Sequence, residues 1–472
     1  MSARRYGDIL PTELGFLPVL LTNLPPLVGV LWFDWNPETL VAVYALELLV
    51  MFPLAGAKAL FAGRPPVSDR ESGVFSVSES ELVDKRGSVT IHDRLPPMYP
   101  RNVPFVTAVV SGGAWICFFI VATVSEVVAV TEIFRRPEVL TSVAALVVGQ
   151  LVETANTYIG SDQYADHSPY AVVETPARQG FFLAFLLLVV TAGGPTVVLA
   201  GFVLVKVLFE WSGFRAESDG GGRITGWFSG PESDSTVDSL DVPGYRPSAT
   251  VDVDRRAVAA AAVRRGVTTV GPLYVTMTTV IWVGTIGVLT EGTASLTLWV
   301  GVGLVALLLF VLMLAGEIVE DVLASGWMTY RRIGDRLVAY DRLTDDPQWV
   351  APVGGLRDAA VVETRPSDRY FGTRTVTVTA GWGDDKTERT LGPVSDPERL
   401  VETFELPVGS TELPPLDRRF ASAAVGSVAL MAVAGVVLVV TPLGPSTGWL
   451  FVVFCLPFLT IVPKGLWRLA HP

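Results

Sequence analysis

Long apolar runs alternate with short polar turns over most of the 472-residue chain. A hydrocarbon core about 30 Å thick is crossed by roughly 20 apolar residues in helical form. Ten runs meet or approach that length, so the pattern predicts a polytopic, all-α membrane region with about ten transmembrane helices. The candidate spans are Leu14–Phe33, Glu38–Ala62, Val103–Val130, Val139–Ile159, Pro176–Gly193, Pro195–Trp211, Val267–Thr290, Ala294–Ile318, Phe420–Val440 and Gly448–Val462.

The run Phe181–Trp211 admits two interpretations. As a single helix it would be about 46 Å long, more than the bilayer core accommodates without strong tilt. Gly193-Gly194-Pro195 lies in its middle and favours a turn, which predicts two short spans in a hairpin. The alternative is eight spans: this run is then one helix, and the weak fourth run, whose apolar stretch ends at Gln150, is not a span.

Basic residues determine the predicted orientation, because short loops rich in Lys and Arg face the cytoplasm. Six basic residues lie in the loop Gly63–Asn102 and seven in Ser212–Arg265, whereas three short turns on the opposite side contain none. With an even number of spans, both basic loops and both termini fall on the cytoplasmic side. Arg135 and Arg136 are the exception, because this arrangement places them outside.

Polar segments of different character divide the chain into five parts. Residues 212–265 are rich in Gly, Ser and Asp and predict a flexible acidic linker. Residues 326–419 contain six short alternating or β-branched runs, followed by the helix-forming DPERLVETFEL, and predict a small β-rich domain closed by one helix. The predicted parts are an N-terminal membrane module of about six helices at 1–211, the linker at 212–265, a helix pair at 266–325, the β-rich domain at 326–419 and a second helix pair at 420–472.

The composition agrees with lipid as the main solvent of the chain. Half of the residues are hydrophobic and 17% are charged, and the mean hydropathy is +0.47, whereas a soluble protein of this length needs a larger charged shell. The net charge is −12, and only five of the 35 basic residues are lysines. Acidic, lysine-poor loops are typical of a salt-rich cytoplasm, which indicates a halophilic, archaea-like source. A GC-rich genome that favours Arg codons is the other interpretation.

Catalytic and metal-binding signatures are absent from the sequence. Cys117 and Cys455 lie inside apolar runs, and the three histidines are far apart, so neither residue type forms a ligand pattern. There is no HExxH, Gly-x-Ser-x-Gly, P-loop or Cys-x-x-Cys motif. We therefore expect no cofactor, no metal and no nucleic-acid partner, and we favour a protein that is not an enzyme.

Glu47 and Lys206 are charged residues in the middle of predicted spans. At 1.5 Å per residue, Glu47 lies about 13–14 Å and Lys206 about 16 Å from the same side of the bilayer. An unpaired acid at that depth costs about 2.5–3.5 kcal/mol on insertion scales, so the matching depths predict an interhelical ion pair. Such a pair either holds two helices together or lines an ion or substrate pathway.

Two further groups of polar residues are candidates for function. A polar stripe with a spacing of three residues lies on the fourth span, and it either lines a cavity or marks a weak span near the inner interface. A basic cluster follows the eighth span and is placed to contact anionic lipid headgroups, although neighbouring acids weaken that attraction. The stripe is Gln150, Glu153 and Asn156, and the cluster is Arg331, Arg332 and Arg336.

Three short stretches of the N-terminal module carry a family resemblance. They are Asn23–Val30 (NLPPLVGV), Tyr44–Glu47 (YALE) with Lys58 further on, and Val205–Leu208 (VKVL). On these residues the module resembles domain-of-unknown-function family 6498, prokaryotic multi-span membrane proteins, with Ala45 where Trp is expected. That family has no established activity, so the resemblance names the module and implies no site residues.

The β-rich segment carries a second resemblance. Tyr330–Val338 (YRRIGDRLV), Arg369–Thr373 (RYFGT) before a Thr/Val strand, and Asp396-Pro397-Glu398 at the start of the last helix resemble a bacterial pleckstrin-homology-like domain. Gly334 stands where that family more often has Thr. The resemblance implies a binding or assembly module, and it brings no catalytic residues.

These patterns favour a non-catalytic, membrane-anchored scaffold or sensor whose soluble domain binds lipid headgroups or a protein. A transporter or channel that uses Glu47 and Lys206 is the alternative, and an intramembrane enzyme of unfamiliar type is the third interpretation. The expected partners are the lipid bilayer, anionic headgroups or another membrane protein. The expected location is the cell membrane, with both termini and the β-rich domain in the cytoplasm.

Overall fold

The computed structural model describes residues 25–66, 82–125, 136–190, 193–219, 240, 242–290, 296–381, 386–440 and 461–470. Most of the first and the last predicted spans, Leu14–Phe33 and Gly448–Val462, lie outside these residues. The chain divides into two compact units. One comprises Met1–Val83, Thr90–Thr236 and Gly284–Val302, and the other comprises Asp84–Val89, Val237–Val283 and Gly303–Pro472.

The first unit contains apolar helices that mostly begin at proline, which lacks the N–H that a first helical turn leaves unpaired. Asn36 caps the second of them, because its Oδ1 accepts hydrogen bonds from the backbone of Glu38 and Thr39 at 2.8 and 3.2 Å. The helices are α1 (Pro25–Trp32), α2 (Pro37–Phe61), α3 (Val103–Ser125), α4 (Pro137–Glu153), α5 (Pro169–Val190) and α6 (Pro195–Asp219).

Helix α2 is the central helix of this unit and packs against α3, α4, α5 and α6. Its buried face contributes Val41, Leu48 and Phe52 to the apolar core. Small residues let the neighbouring helices come close, because a Cβ on Gly180 of α5 would lie 2.6 Å from the ring of Phe52. Close backbone packing at small residues is typical of helices that associate in membranes.

The run Phe181–Trp211 forms two helices and not one. Helix α5 ends at Val190, α6 begins at Pro195, and the two helices pack against each other. Gly194 lies between them with a φ of +79°, a conformation that glycine adopts without steric penalty. The arrangement agrees with the helical hairpin predicted from the Gly-Gly-Pro turn.

Several helices qualify as membrane spans by length and composition. If the bent pair Arg255–Thr268 and Leu273–Gly284 crosses as one broken span, the described residues contain five, and otherwise four. The predicted totals of ten or eight are larger than this, and they stay predictions. The four spans found among the described residues are Pro37–Phe61, Pro100–Val121, Val139–Ile159 and Trp299–Ser325.

The second unit contains two antiparallel sheets. The strands are β1 (Ala249–Asp252), β2 (Met328–Ile333), β3 (Arg336–Asp341), β4 (Asp346–Pro352), β5 (Leu356–Val361), β6 (Arg374–Ala380) and β7 (Thr387–Val394). Four strands pair in the order β1-β2-β3-β4, and three pair in the order β5-β6-β7. Gly334, with a φ of +63°, makes the tight turn between β2 and β3. Each of the six predicted β runs therefore forms a strand.

Seven further helices lie in the C-terminal half of the described chain. They are α7 (Arg255–Arg265), α8 (Gly271–Thr290), α9 (Leu296–Ser325), α10 (Pro366–Phe371), α11 (Pro397–Phe404), α12 (Arg418–Val440) and α13 (Ile461–Leu469). Helix α11 is amphipathic, and its Leu400 and Phe404 are fully buried in a core that also contains Leu337 and Val376 from the two sheets. This helix is the one predicted from DPERLVETFEL.

The predicted boundary between linker and β-rich domain is corrected. The last part of the range 212–265 is regular structure, because Ala249–Asp252 pairs with β2 and the following Arg255–Arg265 is helical. Asp254 caps that helix by accepting hydrogen bonds from two backbone N–H groups. The β-rich domain therefore begins before the helix pair and not at residue 326. A four-residue strand gives no periodic signal of its own, and it is stabilised by pairing with a strand far along the chain.

Candidate functional site

A pair of opposite charges lies in the interior of the first unit. Helix α2 positions Glu47 and α6 positions Lys206, and the Lys206 ammonium donates a hydrogen bond to Glu47 Oε1 at 2.7 Å. The side chains of Glu47 and Lys206 are 19% and 22% exposed. Each residue lies about 15–16 Å along its helix from the helix start. Helix α2 is a candidate membrane span, and the apolar part of α6 is the shorter helix Pro195–Phe209. The structure thus brings together the two charged residues that the sequence places inside apolar runs.

A cavity of about 150 Å³ adjoins this pair. Tyr44 and Gln179 add polar groups to a lining that is otherwise mainly apolar, and the Lys206 ammonium lies 5.3 Å from the centre of the Tyr44 ring. The volume accommodates a few water molecules, since each occupies about 30 Å³ in the liquid. An ion pair with polar neighbours and space for water is suited either to holding helices together or to passing a proton or a small ion.

A second cavity, of about 160 Å³, lies along the same helix α2. Lys58, Gln150 and Glu153 line it, so two residues of the predicted polar stripe reach one cavity. Asn156 is exposed and is not part of that lining. Asn156 lies in the π-helical segment Thr154–Ile159, which directly follows α4. Two residues of the predicted stripe therefore reach one cavity, and the role of the stripe stays a prediction.

Two further charges of this unit were not predicted, although they are more buried than the pair above. Glu174 and Arg178 lie one turn apart on α5, with side chains 1% and 6% exposed, and Arg178 Nε donates to Glu174 Oε1 at 2.5 Å. An acid and a base four residues apart on one helix are a recognisable signal. The predicted span began at Pro176, which left Glu174 outside it and concealed the pair.

In the second unit, a lysine from the loop between α2 and α3 is buried. Lys85 is 5% exposed, and its ammonium forms an ion pair with the fully buried Asp341 of β3. The same ammonium donates to the carbonyls of Leu323 and Ala324 in the last turn of α9. Those carbonyls lack partners within the helix, and a cation at this end is favourable. Burial lowers the pKa of Lys85, and the Asp341 carboxylate opposes that effect.

The segment around this lysine, Asp84–Val89, belongs to the β-rich unit as a whole. Arg86 N donates to Gln348 Oε1 at 2.8 Å, and Gln348 Nε2 donates to the carbonyl of Arg86 at 3.2 Å. Gly87 has a φ of +83°, and a Cβ there would lie 2.7 Å from Thr344. The partners are 262 positions apart in the chain, so no local pattern predicts this contact.

The three arginines predicted to contact headgroups are engaged within the second unit. Arg332 donates to Glu405 Oε1 at 2.6 Å, and the guanidinium of Arg331 lies 3.5 Å from the centre of the Tyr340 ring. Arg336 is half-buried and also interacts with the protein. These contacts compete with headgroup binding, so the role given to this cluster stays a prediction.

Comparison with known proteins concerns the helical region that contains the ion pair. Residues 8–223 match the model of a family of unknown function, DUF6498. The resemblance of the N-terminal module to this family is confirmed. The match covers slightly less than half of the chain and includes both Glu47 and Lys206. Searches of the curated proteins and of the solved structures find no match.

Proposed function

We propose that this protein is a non-catalytic, membrane-anchored scaffold or sensor. Its apolar helices, ten with eight as the alternative, cross the cell membrane, and its β-rich unit is a pleckstrin-homology-like domain that binds lipid headgroups or a protein. The observation that carries the proposal is the β-rich unit: antiparallel sheets of four and three strands with one closing helix on a shared apolar core. A compact binding domain attached to membrane helices is suited to assembly or sensing at the bilayer surface.

The proposed orientation places the β-rich domain and both termini in the cytoplasm. The loop between α2 and α3 is rich in arginine, as cytoplasmic loops are. Lys85 of that loop is buried against β3, so the loop and the β-rich domain share one side of the bilayer. The arginine content of the loop therefore indicates the side, and the Lys85 contact extends the same side to the β-rich domain.

A cysteine introduced at Glu388, an exposed residue of β7, tests this orientation. We expect a membrane-impermeant thiol reagent to leave it unmodified in intact cells and to label it after permeabilisation. Cys117 and Cys455 lie in apolar runs, and the unsubstituted protein gives their background. Labelling in intact cells at the permeabilised level would contradict the proposed orientation.

A photocrosslinking residue at Tyr370 tests the binding function. This side chain is 84% exposed on the short helix α10 of the β-rich unit. Tyr245, 78% exposed and outside the sheets, is the matched control position. In native membranes we expect a discrete adduct with lipid or with one protein at Tyr370 and much less at Tyr245. Equal adducts at both positions, or none at Tyr370, would contradict a binding role for this domain.

A transporter is the second candidate, favoured by the cavity beside Glu47 and Lys206. Met51 lines both this cavity and the one at Lys58, although the two cavities are separate. Proton flux into proteoliposomes, followed with a pH-sensitive dye, should fall in Glu47→Gln if the pair conducts protons. The exchange Glu47→Lys with Lys206→Glu should restore thermal stability that each single change removes if the pair is structural. Unchanged flux together with restored stability would eliminate the proton-conducting candidate.

A further inference from the structure

Two arginines approach each other in the second unit, and a third arginine follows one of them in the chain. Helices α7 and α10 pack against each other, and Arg264 of α7 is close enough to Arg365 for their positive charges to repel. Arg365 is the N-cap residue of α10, and Arg369 lies four residues further on, inside that short helix. The neighbouring Arg265, by contrast, has an acid partner in Asp321 at 2.7 Å. Like charges gathered in this way are stabilised by an anion.

The guanidinium of Arg369 also has unused donors. Its Nε and Nη2 atoms are buried, and neither has a hydrogen-bond partner among the residues that the structure describes. Asp368, the acid of the same short helix, is fully buried and accepts a hydrogen bond from Thr373 Oγ1 at 2.9 Å. A buried donor without an acceptor is unfavourable. If the side chain of Arg369 turns outward, an acceptor oxygen from outside the chain would satisfy both nitrogen atoms.

The surface next to these arginines is apolar. An open concavity of about 550 Å³ runs along α7, lined by Ala260, Val263 and Val267, with Arg264 also in its wall. Val263 and Val267 are 47% and 52% exposed. Val267 is also the first residue of a predicted span, and in the proposed arrangement the concavity lies where the soluble face meets the bilayer. Exposed valines at this level are suited to lipid acyl chains.

Aromatic side chains flank the same surface. Tyr370 and Phe371 follow directly after Arg369 on α10, with ring centres 4.9 Å apart, and both are exposed. Trp467 of α13 donates its Nε1 hydrogen bond to the carbonyl of Thr364, one residue before Arg365. Tyr and Trp are enriched where proteins meet the headgroup region of a bilayer. The surface therefore combines cationic, apolar and interfacial aromatic groups.

We propose that this surface binds an anionic phospholipid, with its phosphate on Arg264, Arg365 and Arg369 and an acyl chain in the concavity along α7. Guanidinium groups bind phosphate oxygens through paired, charge-assisted hydrogen bonds. The apolar concavity favours a lipid over a free phosphate, which would leave the valines in water. The inference rests on the proposed function, because it names the ligand of the β-rich domain.

Full-length protein in nanodiscs of phosphatidylcholine with increasing phosphatidylglycerol tests this site. Hydrogen exchange at the amides of α7 and α10 reports binding, and exchange in β6 reports that the domain is folded. We expect the anionic lipid to slow exchange in α7 and α10 of the wild type. Arg365→Gln with Arg369→Gln should need a roughly 30-fold higher mole fraction of that lipid for the same protection.

The control variant is Arg342→Gln with Arg389→Gln, which removes two positive charges from other parts of the same unit. Arg342 pairs with Asp252 at 3.6 Å, and Arg389 lies over the Trp349 ring. We expect the loss of both charges to leave the lipid response unchanged. An equal loss in both double variants would show general charge attraction and overturn the site.

The remaining outcomes separate the sources of the phosphate and the two levels of the proposal. Protection by glycerol phosphate in pure phosphatidylcholine nanodiscs, equal to that by phosphatidylglycerol, would identify a free-phosphate site and overturn the lipid site. No protection of α7 or α10 by phosphatidylglycerol would also overturn it. If Tyr370 still crosslinks to one protein in that case, the scaffold function stands without the lipid site. If it crosslinks to nothing, both fail.

Discussion

The buried ion pair between Lys85 and Asp341 makes a measurable prediction about how the loop between α2 and α3 is held. Lys85→Met retains much of the apolar stem and removes the ammonium. The fully buried Asp341 carboxylate then has lost its counter-charge, and the last turn of α9 has lost a donor. Removing one partner of a buried pair costs about 3–5 kcal/mol, because the other charge stays desolvated.

Hydrogen exchange of the Asp84–Val89 and β3 amides in the full-length protein measures this loss. A change of 1.4 kcal/mol alters an equilibrium about tenfold, so exchange through local opening should accelerate by about two to four orders of magnitude. Arg86→Met is the matched control, since it removes a positive charge from the adjacent residue, whose backbone makes the contact with Gln348. We expect the control to change exchange by less than about tenfold.

The double variant Lys85→Met with Asp341→Asn separates the charge effect from packing. An Asn side chain keeps an oxygen for the hydrogen bonds that Asp341 Oδ1 accepts from Leu343 N at 2.7 Å and Thr344 N at 3.1 Å. With neither charge buried, most of the lost protection should return. If Lys85→Met stays within roughly threefold of the wild type, or the double variant is no better protected, the pair does not hold this segment.

Two further predictions concern the first unit, with thermal unfolding in detergent as the measurement. Asn102→Ala should destabilise this unit by about 1–3 kcal/mol, because the buried Asn102 amide donates to two carbonyls near the end of α2, both at 2.8 Å. The control is Asn156→Ala, at an exposed position. Equal losses of stability in the two variants would contradict the role of Asn102. Gly180→Val should lower the free energy of unfolding by about 1–3 kcal/mol, because a Cβ at this position would lie 2.6 Å from the Phe52 ring. Gly149→Ala, at a position with open space around it, should leave the stability unchanged. Similar unfolding midpoints for the two variants would contradict the close packing at Gly180.

Local signals account for what could be predicted from the sequence. The β-branched and alternating runs are visible within a few residues, so each became a strand in the structure. Glu47 and Lys206 stood out because charges are rare inside apolar runs, and helical rise alone gave their matching depths. Gln150 and Glu153 of the polar stripe line one cavity, whereas Asn156 lies in a π-helical segment that the pattern of polar positions did not indicate.

Contacts between distant segments account for what could not be predicted. The strand Ala249–Asp252 and the lysine at 85 are ordered by partners far along the chain, and each lies in a segment whose composition indicated a loop. The convergence of Arg264 with Arg365 has the same character, because it depends on α7 packing against a six-residue helix. Composition identifies a polar segment, but it does not tell which part of that segment pairs with the domain.

In the proposed membrane arrangement, these long-range contacts restrict the number of crossings between residue 85 and the β-rich domain, independently of arginine counts. Lys85 contacts β3, so an even number of crossings separates residue 85 from Asp341. Strand β1 pairs with β2, with Ala249 opposite Arg332, so the intervening α8 and α9 together cross an even number of times. The stretch between residue 85 and β1 therefore also crosses an even number of times. Four crossings, by α3 to α6, meet this condition, and so do two, with α4 excluded and α5–α6 merged. Making only one of those two changes would leave an odd number of crossings between residue 85 and β1, which the contacts disfavour, and the totals of ten and eight stay predictions.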